Sequence, residues 1–332
     1  MAGPFCHQPE MRSFVRRLLV LLLASLMLLA TAACGDNGGS QAKADQGQNI
    51  KGLTVSGAFG QEPQVKVTPK VKVSKLETQV MKAGTGNPVQ ANKKVMFNIY
   101  LAKGADGQKL YSSTDQGTPT QVRMTDNEFF PAIIKALVGQ KQGSRVAIAS
   151  RVKDVWGAAG APQLKLKGND TVIFVLDVLS VEPTDVVKGP QGKQVTPPAT
   201  APAVKEAGGK VTGLDWSKAP AKPPTKLEVI PLVEGTGPAA KAGRLVTFNY
   251  YGATWKSNKA FDSSYSRGQP EPFGVGVNGL IKAWDQVIPG LKRGSRVMII
   301  APPGEAYGAT ARPGIPANST LTFVIDVLGV DG

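Results

Sequence analysis

The residue types that carry most covalent enzyme chemistry are nearly missing from this 332-residue chain. Its cysteines are Cys6 and Cys34, and its one histidine is His7. Met11 directly precedes a basic cluster typical of export signals, so we expect translation to start there, which would remove Cys6 and His7. The exported body would then hold no histidine, and no cysteine beyond Cys34. This excludes disulfides, histidine-ligated metal sites, Ser/His/Asp triads and cysteine nucleophiles, and we expect neither a metal nor another cofactor.

The N-terminal segment has the pattern of a signal peptide. Three arginines precede an apolar run over residues 18–33, which ends in small residues before Cys34. The six residues that end at Cys34 resemble a lipobox, the motif that directs cleavage and diacylation at cysteine, although threonine stands where an aliphatic residue is usual. We therefore expect a signal peptide over residues 1–33, lipid on Cys34, and a flexible tether over residues 34–51. Alternatively, Cys34 is a thiol within an ordinary cleaved signal sequence.

The chain is strongly basic, with a net charge of +15. Residues 1–33 hold three Arg and one Glu, so the remainder carries +13. Such basicity suggests nucleic acid, but export argues against that partner, and none is expected. Spread lysines instead favour solvated faces that also attract anionic lipid or cell-wall polymers. We expect the protein on the outer face of the bacterial cell membrane, held there by its lipid.

The body contains two copies of one unit. A shift of 151 positions aligns Gly-Thr-Gly at 84–86 with 235–237 and Gly-Ser-Arg-Val at 143–146 with 294–297, while Asp-Val-Leu at 177–179 matches 326–328 at a shift of 149. A nearly constant offset over this span indicates duplication. Short echoes at 55–57 and 211–213 suggest an arm that docks on each unit. We predict domains over 52–183 and 210–332, each with such an arm, and a Pro/Ala/Lys-rich linker over 184–209.

The second copy has the pattern of an α+β domain. Segments rich in β-branched and aromatic residues predict strands at 226–232, 245–251, 296–301 and 320–328. One amphipathic helix is predicted behind an N-capping Asn278 and before Pro289-Gly290. Its apolar face consists of Leu280, Ile281, Trp284, Val287 and Ile288. A lone amphipathic helix among strands can bury this face only against the sheet.

Along these elements stand several motifs in a fixed order: Phe248-Asn249-Tyr250-Tyr251-Gly252, Phe261-Asp262-Ser263-Ser264, Pro272-Phe273, Leu280-Ile281-Lys282-Ala283-Trp284, Gly294-Ser295-Arg296-Val297, Ala306-Tyr307-Gly308 and Pro313-Gly314-Ile315-Pro316. In this order the second copy resembles FKBP-type peptidyl-prolyl cis/trans isomerases over essentially its whole length. The resemblance implies fold class α+β with two FKBP-like domains. Each would be an antiparallel sheet of five or six strands wrapped around one short helix, with the ligand between them.

The resemblance also implies the residues of a catalytic site. Trp284 would form the floor of a pocket, and its walls and lid would be Tyr250, Phe261, Phe273, Phe323, Leu280, Ile281 and Ile315. The backbone N–H of Ile281 and the hydroxyl of Tyr307 would donate hydrogen bonds to substrate carbonyls, while Asp262 would lie beside the prolyl amide. Arg312 stands where the family often has histidine, in a slightly shortened loop that touches substrate. The preference for the residue before proline is therefore expected to differ.

Such a pocket could speed rotation about an X-Pro bond without a nucleophile or a metal. No bond breaks, and the barrier is roughly 18–20 kcal/mol. The planar amide is more dipolar than the twisted one, so an apolar aromatic pocket disfavours the planar form. Raising the rate to about 10³ per second requires roughly 5–7 kcal/mol. Desolvation and binding matched to the twisted geometry can supply it.

The first copy lacks most of these side chains. At the same offset, Ile99 replaces Tyr250, Leu110 replaces Phe261, Tyr111 replaces Asp262, Phe130 replaces Ile281, Ile133 replaces Trp284 and Trp156 replaces Tyr307. We also expect Thr120 in the place of Phe273. The core pattern survives, but the acid, the tyrosine hydroxyl and most aromatic walls are gone. We therefore expect a degenerate domain, a spacer or a peptide-binding module without appreciable activity.

Two functions fit this sequence. The first is a peptidyl-prolyl cis/trans isomerase whose second copy helps exported proteins to fold. Its partners would be proline-containing and unfolded exported polypeptides, with rapamycin-type macrolides as inhibitors. The second is a non-catalytic chaperone or peptide-binding lipoprotein, against which Asp262 and Tyr307 argue because a pure binder has little need of both. A solute-binding lipoprotein finds no support, because the repeats do not resemble two large α/β lobes.

Overall fold

The computed structural model describes residues 49–331 of the chain. The expected signal peptide, Cys34 and most of the expected tether lie outside the described residues. The chain forms two compact units, one ending at Leu179 and the other beginning at Ser180. Within residues 49–331, every helix is too short or too polar to span a bilayer.

The first unit is an antiparallel sheet preceded by a hairpin. The hairpin consists of β1 (Leu53–Ser56) and β2 (Gln64–Val67). The sheet contains β3 (Glu77–Lys82), β4 (Lys94–Lys103), β5 (Lys109–Ser112), β6 (Thr120–Arg123), β7 (Arg145–Arg151) and β8 (Thr171–Val181). Its order is β3-β7-β8-β4-β5, and β6 pairs with the first half of β4. Helices α1 (Pro131–Leu137) and α2 (Val152–Trp156) connect its later strands.

The second unit repeats this plan. Its hairpin consists of β10 (Ala203–Ala207) and β11 (Lys210–Asp215), and its helices are α3 (Ser264–Arg267) and α4 (Lys282–Val287). The sheet contains β9 (Gly192–Gln194), β12 (Glu228–Gly235), β13 (Arg244–Thr254), β14 (Ala260–Ser263), β15 (Glu271–Val275), β16 (Arg296–Ala301) and β17 (Leu321–Val330). Its order is β14-β13-β17-β16-β12-β9, and β15 pairs with β13. The predicted α+β class is thereby confirmed.

The sheet of the second unit is covered on both faces. Successive side chains of a strand point to opposite faces, so a strand covered on both sides is apolar throughout. In β16, Ile299 packs in one cluster with Trp284 of α4. Its neighbour Ile300 packs in the other cluster, with Leu214 and Trp216 at the hairpin. The cavity described below lies on the helix side, while the hairpin closes the opposite face.

A matched ion pair anchors the hairpin in each unit. Arg145 binds Asp177, with 2.6 Å between Nε and Oδ1, and Arg296 binds Asp326, with 2.5 Å between the same atoms. Arg145 also donates to the carbonyl of Gly57 between β1 and β2. Arg296 makes a second ion pair with a β10 residue, Glu206. The duplication therefore extends to the contacts that hold each hairpin on its sheet.

Several local features differ from the sequence prediction. The segment 184–209, expected to be a linker, contains β9 and β10. These strands are short and mostly exposed, so they lack the apolar alternation by which strands are recognised. The predicted single helix of each unit is accompanied by a second short one. Helix α4 begins at Lys282, four residues beyond the expected cap, because Asn278 adopts a left-handed φ of 57°.

Candidate active site

A cavity that opens to solvent lies beside helix α4 in the second unit, and the empty space within it and at its mouth is about 300 Å³. Seven of the predicted site residues line it: Tyr250, Phe273, Leu280, Ile281, Trp284, Tyr307 and Phe323. All seven have largely apolar side chains, and the only polar side-chain atoms among them are two hydroxyls and one indole N–H. A small apolar ring is the ligand group that such a lining favours.

The floor of the cavity is Trp284, which is held by edge-on aromatic contacts. Its ring centroid lies 5.2 Å from that of Phe248, 5.4 Å from that of Tyr250 and 5.0 Å from that of Phe323. Ring pairs in this range favour edge-to-face geometry. Helix α4 is itself fixed by Asp285, whose carboxylate accepts the backbone N–H of Gly276 at 2.7 Å. The floor is therefore rigid although the helix is short.

Two predicted hydrogen-bond donors lie on this cavity. Ile281 directly precedes α4 in an extended conformation, and within residues 49–331 its backbone N–H has no acceptor. The N–H groups at a helix start lack partners inside the helix, so this one remains available to a ligand. Tyr307 follows the turn Pro303–Glu305, which is closed by the Gly308 N–H donating to the Pro303 carbonyl at 2.8 Å.

Asp262 lies behind the lining of the cavity and does not form part of it. Its side chain is 3% exposed. One carboxylate oxygen accepts the Tyr250 hydroxyl, and the other accepts the Arg267 guanidinium and the Ser263 N–H. Arg267 also donates to the Tyr250 hydroxyl oxygen at 2.7 Å. The acid therefore contacts the cavity lining through Tyr250, and its place beside the prolyl amide stays a prediction.

Burial, followed by the hydrogen bond to Asp262, raises the pKa of Tyr250 well above its ordinary value. The phenol is therefore neutral at physiological pH, with its proton directed at Asp262. Its ring faces the cavity while its hydroxyl is engaged behind the wall. Tyr250 thus supplies apolar surface to a ligand.

Arg267 is a site residue that sequence reasoning missed. It lies at the end of α3, five residues after Asp262. A buried carboxylate requires a cationic partner, and that requirement was the available signal. The motif Phe261-Asp262-Ser263-Ser264 ends at the first residue of α3, three residues before Arg267, so the resemblance did not point to this partner.

Phe261 and Ile315 also lie behind the lining. The Phe261 ring contacts that of Phe323 edge-on, with 5.6 Å between centroids. A Cβ added to Gly252 would lie 2.7 Å from the Phe261 ring, so only glycine permits this packing. Ile315 is 2% exposed and belongs to the cluster around Trp284. Both residues pack in the cluster that surrounds the cavity, and their contact with a ligand stays a prediction.

Arg312 lies at the edge of the site. Its guanidinium carbon is 5.5 Å from the centroid of the Tyr307 ring. This stacking is within the range of a cation–π contact. The predicted substrate-binding residue is therefore next to the cavity, although it is not part of the lining.

In the first unit, positions that correspond to the cavity lining carry aromatic side chains that pack against one another. The Trp156 ring stacks on Phe174, with 5.9 Å between centroids, and contacts Phe130 edge-on at 5.4 Å. The sheet register corrects one predicted equivalence: Val95 pairs with Val122 as Val246 pairs with Phe273, so Val122 and not Thr120 stands for Phe273. A shift of 151 positions from Phe273 also leads to Val122, so the strand register and the repeat offset agree.

Comparison with known proteins finds one family by its family model and by similar sequences. A family model described as FKBP-type peptidyl-prolyl cis-trans isomerase matches residues 85–179 and 237–328. An FK506-binding protein of Streptomyces anulatus is 38% identical over 111 residues, which are 33% of this chain and 90% of that protein. The FKBP-type peptidyl-prolyl cis-trans isomerase FkpA of Escherichia coli is 41% identical over 96 residues, 29% of this chain. The match spans only 34% of that relative.

Solved structures of related proteins also match. The crystal structure of Escherichia coli FkpA matches with a TM-score of 0.30 and 34% identity, over 33% of this chain and 52% of that one. The three FKBP domains of wheat FKBP73 match with a TM-score of 0.31 and 18% identity, over 76% of this chain and 94% of that one.

Proposed function

The chain belongs to the FKBP-type peptidyl-prolyl cis-trans isomerases, and on that premise we propose that the second unit carries the isomerase activity. The supporting observation is the cavity floored by Trp284, with the Ile281 amide and Tyr307 on its lining. The corresponding region of the first unit is occupied by Trp156, which supports a spacer or peptide-binding role there.

The substrate class is a polypeptide that contains proline. The proline ring would enter the apolar cavity and rest on Trp284, while flanking carbonyls accept hydrogen bonds from Ile281 and Tyr307. Loss of water destabilises the dipolar planar amide relative to the twisted one, and the fixed donors hold the chain on either side of the rotating bond. No proton, electron or group is transferred. The network of Asp262, Arg267 and Tyr250 keeps the wall in position.

The deciding experiment measures isomerisation of a Leu-Pro peptide by the whole chain. Phe273→Ala should lower kcat/KM about tenfold or more, because it removes a wall that contacts the transition state. Val122→Ala, at the matched position of the first unit, is the control and should leave the rate unchanged. Equal losses in both variants would contradict the assignment of activity to the second unit. A wild-type rate equal to the uncatalysed one would overturn the isomerase function itself.

A non-catalytic holding function is the competing proposal. It is favoured by the first unit, whose core is retained without the acid at the position of Asp262. Tyr307→Phe separates the two, because it removes a hydroxyl that matters for rotation and leaves the apolar surface. Loss of isomerisation with full suppression of aggregation of an unfolded protein would show that catalysis and holding are separate activities. Full retention of both would contradict the catalytic role of Tyr307.

We also propose that the protein is exported, anchored by lipid on Cys34, and acts on exported proteins at the cell envelope. The support is the arginine-flanked apolar run before Cys34 in the sequence. Labelled palmitate should enter the wild-type chain and not a Cys34→Ser variant. Mass spectrometry should find a diacylated Cys34 at the mature N-terminus. A mature chain that begins elsewhere, without lipid, would overturn the anchor.

A further inference from the structure

We propose that Arg312 determines specificity, so that the second unit prefers substrates with an acidic residue next to the proline. This inference rests on the proposed isomerase function and names the substrate class of the same cavity. It concerns which substrate charge is preferred at the edge of the cavity, a preference that the apolar lining does not determine.

The turn that carries Arg312 is rigid. Arg312 and Ile315 exchange two backbone hydrogen bonds, with 2.9 Å and 2.8 Å between nitrogen and oxygen. Between them stand Pro313 and Gly314, and Gly314 has a φ of 76°, the sequence and geometry of a type II turn. Ile315 anchors the turn because it is 2% exposed in the cluster around Trp284. The backbone of Arg312 is therefore held at a fixed distance from the cavity floor.

The guanidinium of Arg312 is placed to receive a ligand. It stacks over the Tyr307 ring, and Tyr307 lines the cavity. A stacked guanidinium uses its face for the aromatic ring and keeps the N–H groups of its edge for acceptors. The Nε atom is buried and, within residues 49–331, has no hydrogen-bond partner.

The other cations at this site are neutralised. The Lys282 ammonium binds the Glu305 carboxylate at 2.8 Å, and Arg267 binds Asp262. Across the described part of the chain, Arg312 forms no ion pair. A carboxylate from the substrate would supply both the missing charge and acceptors for the N–H edge, in the bidentate geometry that arginine favours. A glutamine offers a weaker acceptor, and a lysine would be repelled.

The test compares kcat/KM of the whole chain for peptides that differ only beside the proline. The set contains Glu-Pro, Gln-Pro, Lys-Pro and Leu-Pro, together with Pro-Glu and Pro-Gln. We expect a Glu-over-Gln ratio of roughly three to ten at low salt on at least one side of the proline. The ratio should fall towards one at about 1 M salt, because the charges are partly exposed.

Variants assign the preference to the residue. Arg312→Gln should bring the Glu-over-Gln ratio to about one, and Arg312→Glu should invert the order of Glu-Pro and Lys-Pro. Lys256→Gln, which removes an exposed cation from a turn away from the cavity lining, should leave the ratio unchanged. A ratio of one in the wild type, or a full ratio in Arg312→Gln, would overturn the specificity. In both cases turnover of Leu-Pro would still support the isomerase, whereas absence of turnover for every peptide would overturn that function instead.

Discussion

Asp262 shows how a single residue can shape a site that it does not line. It is buried, and its charge is compensated by Arg267 and by the Tyr250 hydroxyl. Removing one partner of such a pair leaves an uncompensated charge in a medium of low polarity. The stability of the wall therefore depends on a residue at the far end of α3.

The first prediction concerns this pair. Arg267→Met should lower the free energy of unfolding of the second unit by about 2–4 kcal/mol. We expect a loss at the lower end of that range, because the Arg267 side chain is 23% exposed and solvent screens part of its charge. Urea unfolding measures the change. The control is Arg151→Met, which removes one partner of the exposed pair with Asp154 and should have little effect. A loss no larger than that of the control would contradict the role of Arg267.

The second prediction concerns alkaline pH. Burial, and then the contact with Asp262, raises the pKa of Tyr250 above its ordinary value. The phenol therefore ionises in the unfolded chain before it ionises in the folded one. The stability that this pKa shift contributes is fully present below about pH 10. Above that pH, the free energy of unfolding falls by about 1.4 kcal/mol per pH unit. Urea unfolding at pH 9 and pH 11 should show a smaller loss in Tyr250→Phe than in the wild type, and equal losses would refute this coupling.

At the scale of elements, the hairpin β10–β11 stabilises the sheet without contributing to the cavity. Leu214 and Trp216 belong to the cluster on the hairpin face, which shares no member with the cluster around Trp284. The Trp216 indole N–H donates to the Ser257 carbonyl at 2.9 Å. Stability and catalysis should therefore be separable by mutation.

The third prediction makes that separation. Leu214→Ala should cost about 2–4 kcal/mol of stability, the usual range for a buried leucine. It should leave kcat/KM for a Leu-Pro peptide unchanged at a temperature where the protein stays folded. Thr212→Ala, an exposed position on the same strand, serves as the control in thermal unfolding. A loss of activity in a folded Leu214→Ala protein would contradict the separation of the two faces.

How well the elements could be predicted depends on how much of each is buried. The central strands were predictable because β16 and β17 are buried throughout and mostly apolar, and Trp284 could be assigned to one helix face. The strands β9 and β10 were not predictable, since their pairing uses backbone groups and exposed side chains. The start of α4 was misplaced because an asparagine in the left-handed region resembles an N-cap in sequence. Arg267 and the indirect position of Asp262 depend on contacts that no spacing encodes.

At the scale of the whole molecule, the two copies have kept their core and diverged at the cavity. Arg145 with Asp177 and Arg296 with Asp326 occupy matched positions. The tryptophan floor of the second unit is replaced by Ile133. Trp156 packs against Phe130 and Phe174, which correspond to Ile281 and Phe323.

The fourth prediction follows for ligand binding. The sequence resemblance predicts rapamycin-type macrolides as inhibitors, and we expect such a macrolide to bind with one molecule per chain. Isothermal titration should give a stoichiometry of one for the wild type and for Trp156→Ala. Phe273→Ala should weaken binding about tenfold or more, because it removes a wall of the cavity. A stoichiometry of two would show that the first unit also has an open site.

The packing of β10–β11 also limits where the chain can be truncated. A fragment that starts at residue 224, a short distance before the family match over residues 237–328, would lack both strands. It would expose Met298, Ile300 and Val324 to solvent on a broad apolar surface. Such surfaces drive self-association in water. Such a fragment should form inclusion bodies when it is expressed. A fragment that starts before Ala201 keeps β10–β11, and these side chains stay buried.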